Sequence, residues 1–450
     1  MNQTTPTHVA TSLMFAGLAI TGCAAPHANF SENEALHASF VSNEEAPLAS
    51  LRTTHDSATP LADDSRTGRV NDEDSPVLTM DARGFQVTSA DGTSSIRIGG
   101  RLQTDFNVHG NEGAFNPAIQ DGSELRRARL EMRGTLPDDL IWAAEADFGS
   151  NKISLKDFWV GRHEGDGPTI TFGHQKQPYS LDVEMSSNDI PFVERGVDTA
   201  LVIPFVDRAI GLRAQNNTDD LYWAVGLFGE GATKKATADE GFGFAGRLVS
   251  APVQTDTEVL HLGVRGAWRR PEDGPGGIRI RDETTNMSNF SVVDTGTLMN
   301  VDSVSMYGAE AAWARGPFSI GGEFNSMMLD RMGGDLNFSS WHVQSTYSLT
   351  GESRAPAYRI DQGEFKRLRG EKAGDRLWEV SARLASIDLN DGAFSGGAQD
   401  AFSLGLNWYY NNNVRLMWGY TTILDTSGGS LQTMAADGLD IFTFRMQFIF

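Results

Sequence analysis

From Asp440 to Phe450 the hydrophobic and polar positions alternate with period two. Phe442, Phe444, Met446, Phe448 and Phe450 share one face, and Ile441, Thr443, Arg445, Gln447 and Ile449 share the other. Side chains of a strand point alternately to opposite sides, so this stretch predicts a strand with an oily, aromatic face and a mixed face centred on a cation. The edge strand of a soluble sandwich is the alternative for this stretch taken alone. A long apolar edge needs cover, however, and lipid on one face with closure into a barrel on the edge supplies it.

The same alternation runs through the chain. Arg97, Arg101, Gln103 and Asp105 alternate with Ile96, Ile98, Leu102 and Phe106. From Leu125 to Gly134 a row of Arg127, Arg129, Glu131 and Arg133 opposes Ala128, Leu130 and Met132. Leu140, Trp142, Ala144, Ala146 and Phe148 then alternate with Glu145 and Asp147. Further segments at 153–162, 169–177, 207–215, 221–229, 242–250, 258–269, 303–314, 318–328, 338–349, 377–388, 401–410, 414–424 and 440–450 bring the count to sixteen. The pattern predicts an all-β fold, a 16-stranded antiparallel transmembrane β-barrel, wide enough for an aqueous channel. Connections largely alternate between tight, such as Asn411–Asn413, and long, such as 178–206 and 270–302, as periplasmic turns and external loops do. The segment 350–376 breaks the rule: it falls on the short-turn side, yet it is long and carries Arg354, Arg359, Lys366, Arg367, Arg369, Lys372 and Arg376. Trp142, Trp223, Trp268, Trp313, Trp341, Trp408 and Trp418 mostly fall on outward faces, where indole rings sit at headgroup depth.

Composition adds limits. No run of about 18 apolar residues occurs, which excludes helical spans but not barrel strands, only half of whose residues are apolar. The net charge of −22 argues against generic nucleic-acid binding. It does not fix what a pore passes, because only charges near a constriction act strongly on a permeant ion.

Residues 1–23 read as an export leader, with a short apolar core at Val9–Ile20 but no Lys or Arg ahead of it. Ile20-Thr21-Gly22-Cys23 is similar to a lipoprotein processing site, which makes Cys23 a candidate for acylation; the alternative is cleavage near Ala24 or Ala25. As the only cysteine, Cys23 excludes an internal disulfide framework. Residues 24–80 hold ten Asp or Glu against Arg52, Arg66 and Arg69, without periodicity, and predict a disordered acidic tail. The rest of the chain, with the barrel domain at 81–450, keeps 49 acidic against 34 basic side chains, a balance of −15.

Specific stretches carry a family likeness. Gly173-His-Gln-Lys-Gln-Pro-Tyr-Ser-Leu181 runs on to Ser186-Ser-Asn-Asp-Ile-Pro-Phe-Val-Glu-Arg195. Leu125-Arg-Arg-Ala-Arg-Leu130, Val293-Asp-Thr-Gly296, Gly316-Pro-Phe-Ser319, Leu349-Thr-Gly-Glu352, Trp378-Glu-Val-Ser-Ala-Arg383 and Gly405-Leu-Asn-Trp-Tyr409 complete the set. In order and spacing, 81–450 resembles the phosphate-selective porin O and P family. The resemblance implies an outer-membrane porin, usually a homotrimer, with the loop after strand five folded inward as a constriction and with anion preference. The chain departs from the family in its strong acidity and in Gln177 and Tyr179 around Pro178.

No catalytic order of nucleophile, base and acid stands in a convincing setting. Gly241-Phe-Gly-Phe-Ala-Gly246 matches GxGxxG, but glycine alternation is ordinary in barrel strands and no helix pattern follows. His163, His174, His261 and His342 lie on separate strands without metal-ligand spacing. No catalysis, cofactor or metal is expected. The candidate substrate path is a set of cations: Arg127, Arg129 and Arg133; Arg213, Arg247, Arg265 and Arg269; Lys176 at the head of the loop; and Lys366, Arg367 and Arg369. Guanidinium forks and ammonium groups can line a route for oxyanions. The competing role for each is a neutral ladder with Glu131, Glu145, Asp147 or Glu323 that stiffens the wall. The expected function is a passive outer-membrane channel for small solutes, with anions such as phosphate or polyphosphate favoured. A non-selective or weakly cation-preferring pore, and a barrel for adhesion or envelope anchoring, are the alternatives. Expected partners are outer-membrane lipid, the barrel-insertion machinery reading Phe450 as an assembly signal, and small anions, with no nucleic acid.

Overall fold

The computed structural model describes residues 75–450, apart from 82–83, 111–118, 233–238, 273–276, 284–290, 371–373 and 430–435. The expected leader, Cys23, nearly all of the acidic tail and Lys372 lie outside the described residues. At the end of that tail Val77–Asp81 is strand, paired with Gly84–Thr88, which in turn pairs with the start of the wall, Phe85 opposite Ile98. Regular structure therefore begins before the expected boundary at residue 81.

Sixteen strands form the wall: β1 Ser95–Gly110, β2 Gly122–Leu136, β3 Leu140–Asp147, β4 Ser154–Arg162, β5 Thr169–Lys176, β6 Arg208–Asn217, β7 Leu221–Phe228, β8 Phe242–Gln254, β9 Glu258–Arg270, β10 Val301–Arg315, β11 Phe318–Arg331, β12 Leu336–Ser348, β13 Leu377–Asp391, β14 Phe394–Tyr409, β15 Val414–Ser427 and β16 Asp440–Ile449. Each expected segment falls on one of them. Every strand pairs antiparallel with the next, and β16 returns to β1 with Arg445 opposite Asp105 and Phe448 opposite Leu102, so the sheet closes and no wall strand keeps a free edge. On β16, Phe442, Met446 and Phe448 are exposed outward while Ile441, Arg445 and Gln447 are buried inward, as the alternation requires. Phe450 completes the closure: its N–H donates to the Gly100 carbonyl at 3.1 Å, and its own carbonyl accepts from Gly100 N–H at 2.8 Å. A Cβ on Gly100 would stand 2.6 Å from the Phe450 ring, so the last ring seats only against glycine.

Of the β-bulges among the described wall strands, two, on β2 and β4, bear on the lumen. Gln103 and Thr104 of β1 oppose Arg127 and Leu125, which leaves Arg126 as an extra residue on β2. On β4, Lys156 and Asp157 together oppose the single residue between Ala144 and Ala146. A bulge re-aims side chains locally, and here each puts two consecutive polar residues on the lumen side.

The loop between β5 and β6, residues 177–207, folds into the lumen. It contains α1 Leu181–Glu184, a 3₁₀ turn at Val197–Leu201 and α2 Ile203–Val206. Ser180 caps α1, its side chain accepting from Val183 N–H at 3.1 Å. One side of the loop is apolar and packs, through Leu201, Val202, Phe205 and Val206, on inward-facing Val304, Met306, Met327, Leu329, Phe338, Ile387 and Leu389. Ile280, Val293 and Leu298 of the connection between β9 and β10 join the same cluster. The loop-side half of β10–β13 thus has an apolar inner face, because two inserted segments cover it.

Candidate functional site: the neck and inner cavity of the lumen

Polar side chains of the wall hold the inserted loop almost residue by residue. Glu323 accepts from Ser180 Oγ at 2.8 Å and Asp182 N–H at 2.6 Å. Arg213 and Arg247 each donate to the Glu184 carboxylate, at 2.7 and 3.1 Å. Arg415 donates to the Ile190 carbonyl at 2.8 Å and Asn407 to the Pro191 carbonyl at 2.8 Å. Asp198 is fully buried, 2.8 Å from His342 Nδ1, while Ser340 donates to its carbonyl at 2.8 Å. In α1 the free carbonyls of Val183, Glu184 and Met185 receive Lys176 Nζ at 2.8, 2.7 and 3.1 Å. A helix end leaves its last carbonyls without backbone partners, and an ammonium group satisfies them.

Two of the cavities that border the loop meet at a neck. The outer one, about 420 Å³, lies toward the long-loop end between β1, β2 and β14–β16. The inner one, about 510 Å³, is bounded by β1–β7 and by Gln362, Glu364 and Lys366 of the long turn. Arg126, Arg127, Arg195 and Ile203 line both and mark the neck between them. At the neck Glu194 of the loop receives three guanidinium groups: Arg126 Nε at 3.1 Å, Arg127 Nη1 and Nη2 at 3.0 Å each, and Arg445 Nη2 at 2.5 Å. Arg445 also grips Asp105 with two bonds of 2.6 Å. Burial pushes the Glu194 pKa up, but Arg127, Arg445 and Arg126 more than reverse this and hold the carboxylate well below its ordinary range.

Among the described residues eleven bases and six acids line the inner cavity, a local excess of cations inside a chain of −22. The sequence candidates divide there. Arg127 is at the neck. Arg129 lines the inner cavity but pairs with Glu145 and Asp147, each at 2.7 Å, as the neutral-ladder role describes. Arg133 is exposed to the cavity, and neither its guanidinium nor the Lys156 ammonium makes a hydrogen bond or ion pair with the described residues. Lys176 and Arg213 line the cavity with their charges spent on α1 and Glu184. Arg247 and Arg265 are set apart, buried around Glu310, and Arg269 binds the Gly229 carbonyl and Glu230. Lys366 reaches the cavity paired with Glu364, Arg367 donates to the Asn412 carbonyl at 2.7 Å, and Arg369 is exposed on the long turn.

The long turn is itself inserted. Tyr358 Oη lies 2.9 Å from His261 Nδ1, Arg247 donates to the Gly363 carbonyl at 2.7 Å, and Arg354 pairs with buried Glu379. Arg367 N–H reaches Asp189 of the inserted loop at 3.4 Å, so the two insertions meet inside the barrel.

The model of the phosphate-selective porin O and P family matches residues 96–450. The chain belongs to that family. It is an outer-membrane porin, and its wall strands are membrane strands. It is 26% identical to Porin O of Pseudomonas aeruginosa over 428 residues, 85% of this chain and 94% of that one. The fold is shared with the anion-selective porin of Comamonas acidovorans (TM-score 0.52, 13% identity, 79% of this chain and 100% of that one). It is shared as well with OmpT, an outer membrane protein of Vibrio cholerae (TM-score 0.51, 12% identity, 80% of this chain and 98% of that one).

Sequence reasoning missed Arg126, Lys156 and Glu194. Strict alternation turns Arg126 to lipid, where an arginine near the midplane costs about 2–4 kcal/mol. Two consecutive arginines in a membrane strand were thus a legible sign of a bulge. Nothing local marks Glu194, whose partners come from β2 and β16.

Proposed function

We propose that the porin passes small inorganic anions, with phosphate-like oxyanions favoured, and that the route runs through the outer cavity, past Arg126 and Arg127, into the inner cavity. The observation that carries this reading is the excess of cations around the inner cavity, above all Arg133 and Lys156, whose cationic groups are not tied up in a hydrogen bond or ion pair with the described residues. Unpaired cations lower the entry cost for an anion, and their partial exposure to water keeps each site weak enough to release it. The anion selectivity named for the Comamonas protein is in keeping with this reading. Planar-bilayer recording of the full chain in a salt gradient tests it: the reversal potential is expected on the anion side, with chloride current reduced by added phosphate. A cation-side potential without phosphate block overturns it.

The same reading takes the channel to be a homotrimer in outer-membrane lipid, assembled by barrel-insertion machinery that recognises the terminal aromatic residue. Deleting Phe450, which seats against Gly100 at the closure, is expected to reduce the heat-modifiable barrel recovered from membranes.

A further inference from the structure

We infer that Glu194 is a tethered competitor: its carboxylate occupies the oxyanion site of the neck, and a permeating anion takes its place on Arg126 and Arg127. The inference rests on the anion-channel reading and deepens it. The two-pronged fork of Arg127, joined by Arg126 Nε, offers N–H donors that bind a carboxylate or a phosphate oxygen equally well. Arg445 is balanced by Asp105. Glu194 therefore sets how far the Arg127 guanidinium is open to a permeating anion.

The surroundings let the carboxylate leave while the loop stays. Arg445 Nη1 binds the Val193 carbonyl and Arg383 Nη2 donates to the Glu194 carbonyl at 3.1 Å, so the backbone is held independently of the side chain. Gln103 Oε1 accepts from Arg127 Nη1 at 2.8 Å and keeps that guanidinium aimed at the lumen. The Glu194 side chain is 35% exposed, against 6% for Arg127, so an entering anion meets it on an open side. An anion site without such a competitor would hold its ligand longer, and a channel needs release as much as capture.

The test uses the full-length porin in planar bilayers with chloride as carrier and inorganic phosphate as blocker. Glu194→Gln is expected to lower the phosphate concentration for half-block about tenfold and to lengthen individual block events, because a charged competitor has gone. Glu194→Ala should move both in the same direction, and Glu194→Asp should restore much of the wild-type behaviour. Heat-modifiable mobility on gels confirms that each barrel is assembled. A wild type blocked by phosphate together with an equally or less sensitive Glu194→Gln overturns this inference alone. A wild type that phosphate does not block overturns this inference, and a cation-side reversal potential alongside it overturns the anion-channel reading as well.

Discussion

Two walls of one barrel face the same inserted loop and treat it differently. On β10–β13 the inner face is apolar near the loop, and Leu201 and Phe205 are packed in one cluster with Met327, Leu329 and Phe338. Across the lumen, β2–β6 present Arg126, Arg127, Arg133, Lys156 and Arg208 around a cavity of about 510 Å³. The first wall seats the loop by apolar packing; the second faces it with charge, along the route proposed for the permeating anion. Fixing a loop takes close packing and satisfied hydrogen bonds, whereas conduction takes charges left partly unsatisfied, so on the cationic wall the side chains that tether the loop, such as Lys176 and Arg213, are different ones from those left open to the cavity, Arg133 and Lys156.

The sharpest way to break this division is to loosen the seat. Leu201→Ala and Phe205→Ala each remove buried contacts worth about 2–5 kcal/mol. The double variant is expected to show larger and noisier single-channel conductance, because the loop no longer keeps its position. A conductance equal to the wild type would mean that the apolar wall does not hold the constriction.

Acid should unseat the same loop through its polar tether, with a smaller effect. Burial raises the Asp198 pKa, but the neighbouring His342 and its hydrogen bond outweigh this, so the group sits below the ordinary aspartate value. A depressed folded-state pKa contributes stability that is present above the unfolded value and is lost as pH falls through the folded one. Conductance noise is therefore expected to stay flat from neutral pH down to about 4, near the unfolded aspartate value, and to rise below it. Noise that rises already near pH 6 would assign the tether to another group.

On the other wall, replacing Arg133 and Lys156 by Gln removes two cations that hold nothing in place. Each is worth on the order of 1 kcal/mol at close approach in water, so the reversal potential should move toward cations with conductance noise unchanged. Replacing Lys176 by Gln should do the converse, disturbing α1 more than selectivity, since all three of its donors bind carbonyls. If Lys176→Gln changes selectivity more than the pair does, the roles assigned to the two kinds of cation are reversed.

How much of this was legible follows from the range of each signal. Period-two alternation is local, and it placed all sixteen strands, the outward aromatics of β16 and the inward row of Arg127, Arg129 and Arg133. The filled half was not legible, because inward apolar residues such as Met327 and Leu329 alternate with outward apolar ones, so the strand looks equally oily on both faces. Lys176 was legible as a cation but its setting was not: a cation before a loop signals charge in the sequence, and only the fold turns α1 back so that carbonyls at its end bind the ammonium. Glu194 lay beyond reach, since its site is assembled from β2, the inserted loop and β16, with Arg126 and Arg445 319 positions apart.

The smallest effect expected is the most direct test of local over global charge. Residues 24–75 carry an acidic excess, and if selectivity followed the net charge of −22 their removal would shift the pore measurably toward anions. Screening argues otherwise. The Debye length is about 8 Å at physiological salt, and charges separated from the neck by more than that in water are largely invisible to an ion there. Arg126, Arg127 and Glu194 stand at the neck itself, and Arg133 and Lys156 line the cavity just inside it. Deleting 24–75 is therefore expected to leave the reversal potential nearly unchanged at physiological salt, with any shift growing only as salt is lowered. A shift larger than that of the Arg133 and Lys156 pair would mean that the acidic segment reaches the ion path and that the cationic wall does not govern it alone.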